Sequence, residues 1–182
     1  MQQLINWNEA YGSGKDYAVL YTAALSELIE TVPQDTGKKH LDVGCGTGQM
    51  NRDMYHRGYE TVGVDPSNVA IRLAQSSVSN SDGRITFIAG DIFSLQEQRF
   101  DLITCKYVYT FITDKEAFLT RVSELLVKKG VFVLISPNML TLNDDKKSIG
   151  LPDEDVFAQL SKHFITQRKL KDRDIYYFCM HN

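Results

Sequence analysis

Residues 40–49 read HLDVGCGTGQ, a short apolar strand followed by a turn with glycine at every second position. The three glycines are Gly44, Gly46 and Gly48. Glycine is needed where φ is positive, or where a ligand must come closer to the backbone than a β-carbon permits. The carboxylate of Asp42, inside the strand, repels a phosphate and attracts an ammonium or a sulfonium. The stretch therefore predicts a binding turn for a ligand that carries a positively charged centre.

Length and composition indicate one ordinary globular domain. The chain has 182 residues, and no apolar run approaches the roughly 20 residues that cross a bilayer. Its first residues lack the basic start and long apolar stretch of a signal peptide, so we expect a cytoplasmic protein that does not enter the membrane. The three cysteines form no CxxC pair, which argues against a disulfide framework and a metal site. The net charge of −3 argues against nucleic acid as a partner.

Strands and helices alternate along the chain, which predicts a mostly parallel sheet with helices on both faces. The expected strands cover residues 41–43, 59–64, 84–89, 100–105 and 131–135, and then 164–170 and 175–180 as an antiparallel pair. The expected helices cover residues 15–32, 47–57, 66–78, a segment from a Thr113–Glu116 capping box to Gly130, and 153–160. The helix over 15–32 is expected to bury Leu20, Ala23, Ala24, Leu28 and Val32.

Acidic residues stand at the ends of the first three strands, where an open α/β sheet binds its ligand. Asp65 follows Gly44 by about 20 residues, a spacing at which a carboxylate commonly accepts from ribose hydroxyls. Asp91 can accept from an exocyclic amine, and Ile92 can lie against a ring face. An amino group, a ribose and a purine are thus each assigned an acceptor in order across the sheet.

Four stretches resemble successive motifs of the class I S-adenosylmethionine-dependent methyltransferases: LDVGCGTG at 41–48, VGVDPS at 62–67, AGD at 89–91 and FDLI at 100–103. The resemblance covers roughly residues 38–182. It implies a doubly wound, mostly parallel seven-stranded sheet of order 3-2-1-4-5-7-6 with an antiparallel last strand. It also implies a single domain over 1–182, in which residues 1–37 form a helical lid or substrate segment and 38–182 the cofactor-binding core.

The resemblance further implies S-adenosyl-L-methionine as cofactor and S-adenosyl-L-homocysteine as product. Asp42 and Gly44 would face the methionine part, Asp65 the ribose, and Asp91 with Ile92 the adenine. Further cofactor contacts are expected from Tyr11, Tyr17, Cys45, Gly46, Gly48, Pro66, Cys105 and Lys106. The implied reaction is an in-line displacement that depends on alignment and needs no nucleophilic side chain.

The methyl acceptor would approach the end of the fourth strand, where Lys106, Tyr107 and Tyr109 are the catalytic candidates. Core packing explains these aromatic residues about equally well. Tyr11 and Tyr17 flank Gly12-Ser13-Gly14, a flexible stretch suited to a closing segment. No histidine is expected at the site, because His40 enters the first strand from the opposite end, so a histidine general base is not predicted.

Other functions fit the residues less well. A dinucleotide fingerprint places its third glycine one position later, and Asp42 would stand badly near a pyrophosphate. A nucleophilic Cys105, as in cytosine-5 methyltransferases, lacks the proline that precedes it there, since this chain has Thr104. We expect a small-molecule acceptor, because residues 138–150 are too short for a substrate domain, and a monomer or homodimer. A nucleic-acid or protein methyltransferase and a non-catalytic cofactor-binding module remain alternatives.

Overall fold

The computed structural model describes residues 6–15, 23–32, 37–78, 82–96, 98–140, 142–172 and 175–181. The strands within these ranges are β1 Lys39–Val43, β2 Glu60–Asp65, β3 Ile85–Ala89, β4 Phe100–Lys106, β5 Leu126–Pro137, β6 Ile165–Asp172 and β7 Ile175–His181. The helices are α1 Trp7–Gly12, α2 Ala23–Ile29, α3 Gln49–His56, α4 Asn68–Ser76, α5 Lys115–Leu125 and α6 Asp153–Leu160. Short 3-10 helices cover Ile92–Ser94, Tyr109–Phe111 and Asp144–Ile149.

The strands form one seven-stranded sheet of order β3-β2-β1-β4-β5-β7-β6, which confirms the predicted order. Strands β1 to β5 pair in parallel, and β7 pairs antiparallel with both β5 and β6. The chain moves outward from β1 to β3 and then returns to place β4 on the other side of β1. This reversal opens a crevice beyond the carboxyl ends of β1 and β4, which is where such sheets bind ligands.

Apolar side chains cover both faces of the sheet. On one face α5 and α6 pack on a cluster that includes Leu41, Ile103 and Phe132. On the other face α2 and α3 pack on a cluster that includes Leu102 and Val133. Strands buried on both faces need near-continuous apolar runs, and this explains the run over 131–135 in β5.

Both ends of α5 differ from the prediction. The helix begins with Asp114, whose side chain accepts from the Ala117 N–H, and not with a Thr113 capping box. It ends at Leu125, because Leu126 already pairs with Phe100 of β4. The register then shifts, so that residues 127–130 form a bulge, and Gly130 lies in this extended segment. A β-carbon at Gly130 would stand 2.9 Å from the Val127 carbonyl oxygen, which explains the glycine without a helix stop.

The helix predicted over residues 15–32 falls partly on residues 16–22, which lie outside the described ones. Its described part is α2, which buries Leu25, Leu28 and Ile29. Ala23, expected on the buried stripe, is exposed, and Leu20 lies outside the described residues. Leu28 and Val32 are buried as predicted, and Ala24 is partly buried. A separate short helix, α1, precedes α2 in the chain.

Candidate functional site

The glycine turn after β1 is left-handed at all three of its glycines. Gly44, Gly46 and Gly48 have φ values of 70°, 54° and 78°. A β-carbon at these positions would stand 2.2 Å from Val108, 2.6 Å from the Tyr11 hydroxyl and 2.4 Å from Phe87, respectively. The glycines are therefore required by the backbone and by neighbouring side chains. Positive φ was one of the two predicted reasons for these glycines, and the close approach of a ligand stays a prediction.

Asp65 ties the turn to the end of β2. One carboxylate oxygen accepts from the Gly46 N–H at 2.9 Å and the other from the Ser67 N–H at 2.8 Å. The side chain is buried, and burial raises its pKa above the ordinary value. Each carboxylate oxygen has two lone pairs, so two acceptor positions remain for hydroxyl groups of a ligand. The neighbouring Pro66 is exposed beside it.

Asp42 lies at the end of β1, next to the reversal of strand order. Asp42 is 3% exposed, and its Oδ1 accepts from the Thr104 hydroxyl at 2.7 Å. Burial raises the pKa of Asp42 to about 6, against the lowering effects of Thr104 and Lys106. The carboxylate of Asp65 adds to the increase. Two buried carboxylates beside one turn form a site that a positively charged group would stabilise, and this fits an aminocarboxypropyl sulfonium ligand.

The end of β3 presents a different surface from the one predicted. Asp91 is exposed, and its Oδ1 accepts from the N–H groups of Phe93 and Ser94 at 3.0 and 3.1 Å. Ile92 is buried in the core beside Leu95, which leaves little of it for a ring. Phe93 is 54% exposed and was missed by the sequence reasoning. An aromatic residue directly after Asp91-Ile92 was the available signal.

The candidates after β4 divide into core and site residues. Tyr109 is a core residue, because its ring packs on Phe118 and its hydroxyl donates to Gln159 at 2.7 Å. Tyr107 has a φ of 60°, and its N–H donates to the Ile135 carbonyl at 2.9 Å. Its ring packs against the cluster beneath α2, and burial raises its pKa to about 12. Because Tyr109 is packed in the core, the geometry does not support a catalytic contact between Tyr109 and an acceptor.

Lys106 lies at the end of β4 and is partly exposed. Its ammonium stands 5.8 Å from the centre of the Tyr107 ring and lowers the pKa of Asp42. Of the three catalytic candidates, Lys106 is thus the one whose charge acts on a buried carboxylate of the site.

The two cysteines of the predicted site are buried. The Cys105 thiol is fully buried and accepts from the N–H groups of Val108 and Tyr109. Burial raises its pKa well above the ordinary value, so its thiolate is strongly disfavoured and a nucleophilic role has no support. Cys45 packs with Phe87 and Ile71, and burial raises its pKa as well.

Helix α1 covers the turn. The Tyr11 ring is buried against Gly46, and the Trp7 ring meets the edge of Phe111 with centroids 5.2 Å apart. The side-chain oxygen of Asn8 accepts from the Ser67 hydroxyl at 2.8 Å and from the Val69 N–H at 3.3 Å. The helix thereby spans the ends of β1, β2 and β4, as a covering segment would. Tyr17 lies outside the described residues.

His40 lies near the start of β1, at the end opposite the crevice as expected, and it is linked to the site through Thr104. Its Nδ1 lies 2.8 Å from the Thr61 hydroxyl and its Nε2 lies 2.8 Å from the Thr104 hydroxyl. Thr104 in turn donates to Asp42. The signal was an alternation of polar residues within buried strands, His40 with Asp42 and Thr104 with Lys106.

Two further features concern the described part of the chain. It holds no group of three or more His, Cys, Asp or Glu side chains that could bind a metal ion. None of its helices has the length and apolar character needed to cross a membrane.

The fold and the family model together place the chain in one class of proteins. Residues 34–175 match the family model described as a methyltransferase domain, and the chain belongs to the class I S-adenosylmethionine-dependent methyltransferase family. This confirms the resemblance drawn from the motifs.

The relatives have longer chains than this one. A ubiquinone biosynthesis O-methyltransferase from Alkalilimnicola ehrlichii is 30% identical over 164 residues, which are 88% of this chain and 62% of that protein. One of the same name from Azorhizobium caulinodans is 31% identical over 117 residues, 63% of this chain and 44% of that protein. This chain thus spans about half the length of the curated relatives that it matches.

A solved structure shares the fold at low identity. The S-adenosylmethionine-dependent methyltransferase from Mesorhizobium loti has a TM-score of 0.73 and 16% identity, covering 88% of this chain and 98% of that chain.

Proposed function

We propose that this protein transfers a methyl group from S-adenosyl-L-methionine to a small-molecule acceptor. One observation carries the proposal: the buried carboxylates of Asp42 and Asp65 flank a left-handed glycine turn at the point where strand order reverses. This arrangement has acceptors for an ammonium and for hydroxyl groups, and no basic side chain among the described residues of the turn that would favour a polyphosphate.

The residues of the site have distinct tasks in this proposal. The donor, when bound, supplies a methyl group that its positive sulfur makes electrophilic. Asp42 accepts from the donor's ammonium, and Asp65 accepts from its ribose hydroxyls through the two remaining lone pairs. The second oxygen of Asp91 accepts from the exocyclic amine. Helix α1, held by Asn8, excludes water from the donor. Alignment of the donor with the acceptor can lower the activation barrier by on the order of 7–11 kcal/mol.

The acceptor would enter between the end of β4 and the segment after β5. Lys106 and Tyr107 line one side, and Met139 and Leu140 follow β5 on the other. Leu140 is 70% exposed, so an apolar surface is available there. The relatives named ubiquinone biosynthesis O-methyltransferases support a small molecule as acceptor. Transfer to nucleic acid or protein, and donor binding without transfer, are the alternatives that the experiment separates.

The test combines donor binding with transfer of a labelled methyl group. We expect Asp65→Asn to weaken donor binding by about 10- to 100-fold, since a hydrogen bond to a charged group contributes about 1.5–3 kcal/mol. Glu60→Gln is the matched control, because Glu60 is exposed at the opposite end of the same strand. Calorimetry gives the affinity, and urea unfolding shows whether loss of an acceptor for Gly46 and Ser67 destabilises the fold.

The transfer assay uses the full chain, methyl-labelled donor and fractionated cell extract. Label in the small-molecule fraction supports the proposal. Label in RNA or protein overturns the choice of acceptor, and donor binding without transfer to any fraction indicates a binding module. Wild-type affinity in Asp65→Asn would remove Asp65 from the site.

A further inference from the structure

We propose that His40 is a positioning residue for the methyl-donor site, acting through Thr104 to orient the Asp42 carboxylate toward the donor's ammonium group. The proposal rests on the function proposed above, because it takes Asp42 as the acceptor for that ammonium. It is carried by a chain of buried hydrogen bonds that crosses three strands and ends on Asp42.

The chain begins on α3 and runs beneath the site. The Asn51 amide donates to the Thr61 hydroxyl at 2.7 Å, and Thr61 lies 2.8 Å from His40 Nδ1. His40 Nε2 lies 2.8 Å from the Thr104 hydroxyl, which lies 2.7 Å from Asp42 Oδ1. All five side chains are buried, so water does not compete with these contacts.

One arrangement of protons satisfies every contact. Burial lowers the pKa of His40 to about 3, so the ring is neutral and carries a single N–H. An ionised Asp42 can only accept, so Thr104 uses its proton for Asp42 and not for His40 Nε2 or for the Leu41 carbonyl, which is 3.5 Å away. Thr104 must therefore accept from His40 Nε2–H, and His40 Nδ1 must accept from the Thr61 hydroxyl. All donors in the chain then point toward Asp42.

The chain gives Asp42 a fixed donor that a lone threonine would not. Once the His40 N–H occupies a lone pair of the Thr104 oxygen, the Thr104 hydroxyl proton is directed at Asp42 Oδ1. Without His40 this hydroxyl can turn toward Leu41, and Asp42 loses a hydrogen bond that lowers its pKa. Loss of His40 should therefore raise the pH below which Asp42 is protonated and the donor is released.

Other groups around Asp42 stay constant in this comparison. Lys106 at the end of β4 lowers the pKa of Asp42, and Asp65 at the end of β2 raises it. The thiols of Cys45 and Cys105 also lie close enough to feel the Asp42 charge, and their raised pKa values keep them neutral. None of these four residues is hydrogen-bonded to His40, so substitution of His40 acts on Asp42 through Thr104, while it also leaves the Thr61 hydroxyl without its acceptor.

The test follows the pH dependence of donor affinity in four variants of the full chain. Wild-type affinity for S-adenosyl-L-methionine, measured by calorimetry between pH 5 and 8.5, should fall about tenfold per pH unit below about pH 6. In His40→Leu and Thr104→Val we expect this midpoint to rise by about one pH unit. His40→Gln and Thr104→Ser keep a donor in the chain and should retain the wild-type midpoint.

Met54→Ala is the matched structural control, since Met54 is fully buried on the same face of the sheet and takes no part in the chain of hydrogen bonds. It should lower the stability to urea and leave the midpoint unchanged. A wild-type midpoint in both His40→Leu and Thr104→Val would overturn the proposal and leave His40 as a purely structural residue.

A second measurement needs no variant and no donor. Nitrogen-15 spectra of the wild-type protein should show His40 as the neutral Nε2–H form at pH 6 and above. The Nδ1–H form would reverse the chain and overturn the proposal. Equal donor affinity in Asp42→Asn and wild type would instead contradict the proposed function, so the two failures are distinguishable.

Discussion

The replacement Gly46→Ala separates backbone strain from crowding at the centre of the site. Gly46 has a φ of 54°, and an added β-carbon would lie 2.6 Å from the Tyr11 hydroxyl and 3.3 Å from its ring. Gly58 provides the matched control, because its φ is 89° and nothing lies within 4 Å of its β-carbon position. Both replacements carry the strain of a left-handed alanine, but only Gly46→Ala also crowds α1.

The two costs can be estimated separately. A left-handed alanine costs about 1–2 kcal/mol, which is the full expected effect of Gly58→Ala. Crowding of a filled site adds about 1–3 kcal/mol, so Gly46→Ala should cost about 2–5 kcal/mol. Tyr11→Phe removes the nearer atom, and Gly46→Ala in a Tyr11→Phe background should recover part of this loss.

Urea unfolding of the wild type, Gly46→Ala, Tyr11→Phe and the double variant forms a double-mutant cycle, and Gly58→Ala is the control outside it. Trp7 is the sole tryptophan of the chain and lies on α1 against Phe111, so its emission reports the docking of α1. We expect a red shift in Gly46→Ala and none in Gly58→Ala. Equal destabilisation by the two alanines, without coupling to Tyr11, would refute the close contact of α1 with the turn.

Two further predictions concern the pH dependence of stability and the adenine side of the site. The lowered pKa of His40 contributes stability that is present above its unfolded pKa of 6.5 and lost as pH falls toward 3, whereas the raised pKa of Asp42 contributes stability that is lost as pH rises through about 6. Between pH 6 and 4, His40 and Asp42 therefore change the free energy of unfolding in opposite directions. In Asp42→Asn only the effect of His40 should remain. Its free energy of unfolding should therefore fall by about 1.4 kcal/mol for each unit that the pH falls, relative to that of Asp42→Asn with His40→Gln. The same pH dependence of urea unfolding in these two proteins would contradict the burial of a neutral His40. Phe93→Ala should weaken donor binding severalfold without loss of stability, since Phe93 is exposed, while Leu140→Ala leaves the donor affinity unchanged; calorimetry that finds both variants equal to wild type would remove Phe93 from the site.

The positions of the strands were predictable because their signals are local, whereas their order followed from the resemblance to the methyltransferase family. Glycine at 44, 46 and 48 marks the first crossover, and continuous apolar runs such as 131–135 mark strands buried on both faces. The end of α5 was not predictable in the same way. Leu126 continues the apolar spacing of the helix, and only its pairing with Phe100 of β4 draws it into a strand. Local propensity is overridden there by a contact 26 residues distant in the chain, and a helical pattern alone does not reveal it.

The candidate site shows the same division. Asp42 and Asp65 lie at the carboxyl edge because strand ends and spacing place them there. The placement of Tyr109 could not be read from the sequence, because it depends on Gln159 of α6 and on Phe118 of α5. Ile92 was expected to face a ligand ring, but the 3-10 helix that Asp91 caps turns Ile92 into the core and leaves Phe93 exposed.

The polar chain beneath Asp42 depends on register between strands, which one strand's pattern cannot show. His40 is opposite Thr61 of β2, and Asp42 is opposite Thr104 of β4. On the same face, the next strands on either side, β3 and β5, carry apolar residues, Ile85 and Phe87 in one and Val131, Val133 and Ile135 in the other. A buried face that needed only stability could be apolar throughout, because a buried polar group gains little over an apolar one of similar shape. Among the described strand residues of this face, the buried polar side chains lie instead on the strands on either side of the strand-order reversal and on the strand next to them, and their hydrogen bonds end on the carboxylate that faces the crevice. This distribution argues that the chain belongs to the site and not to the general stability of the sheet.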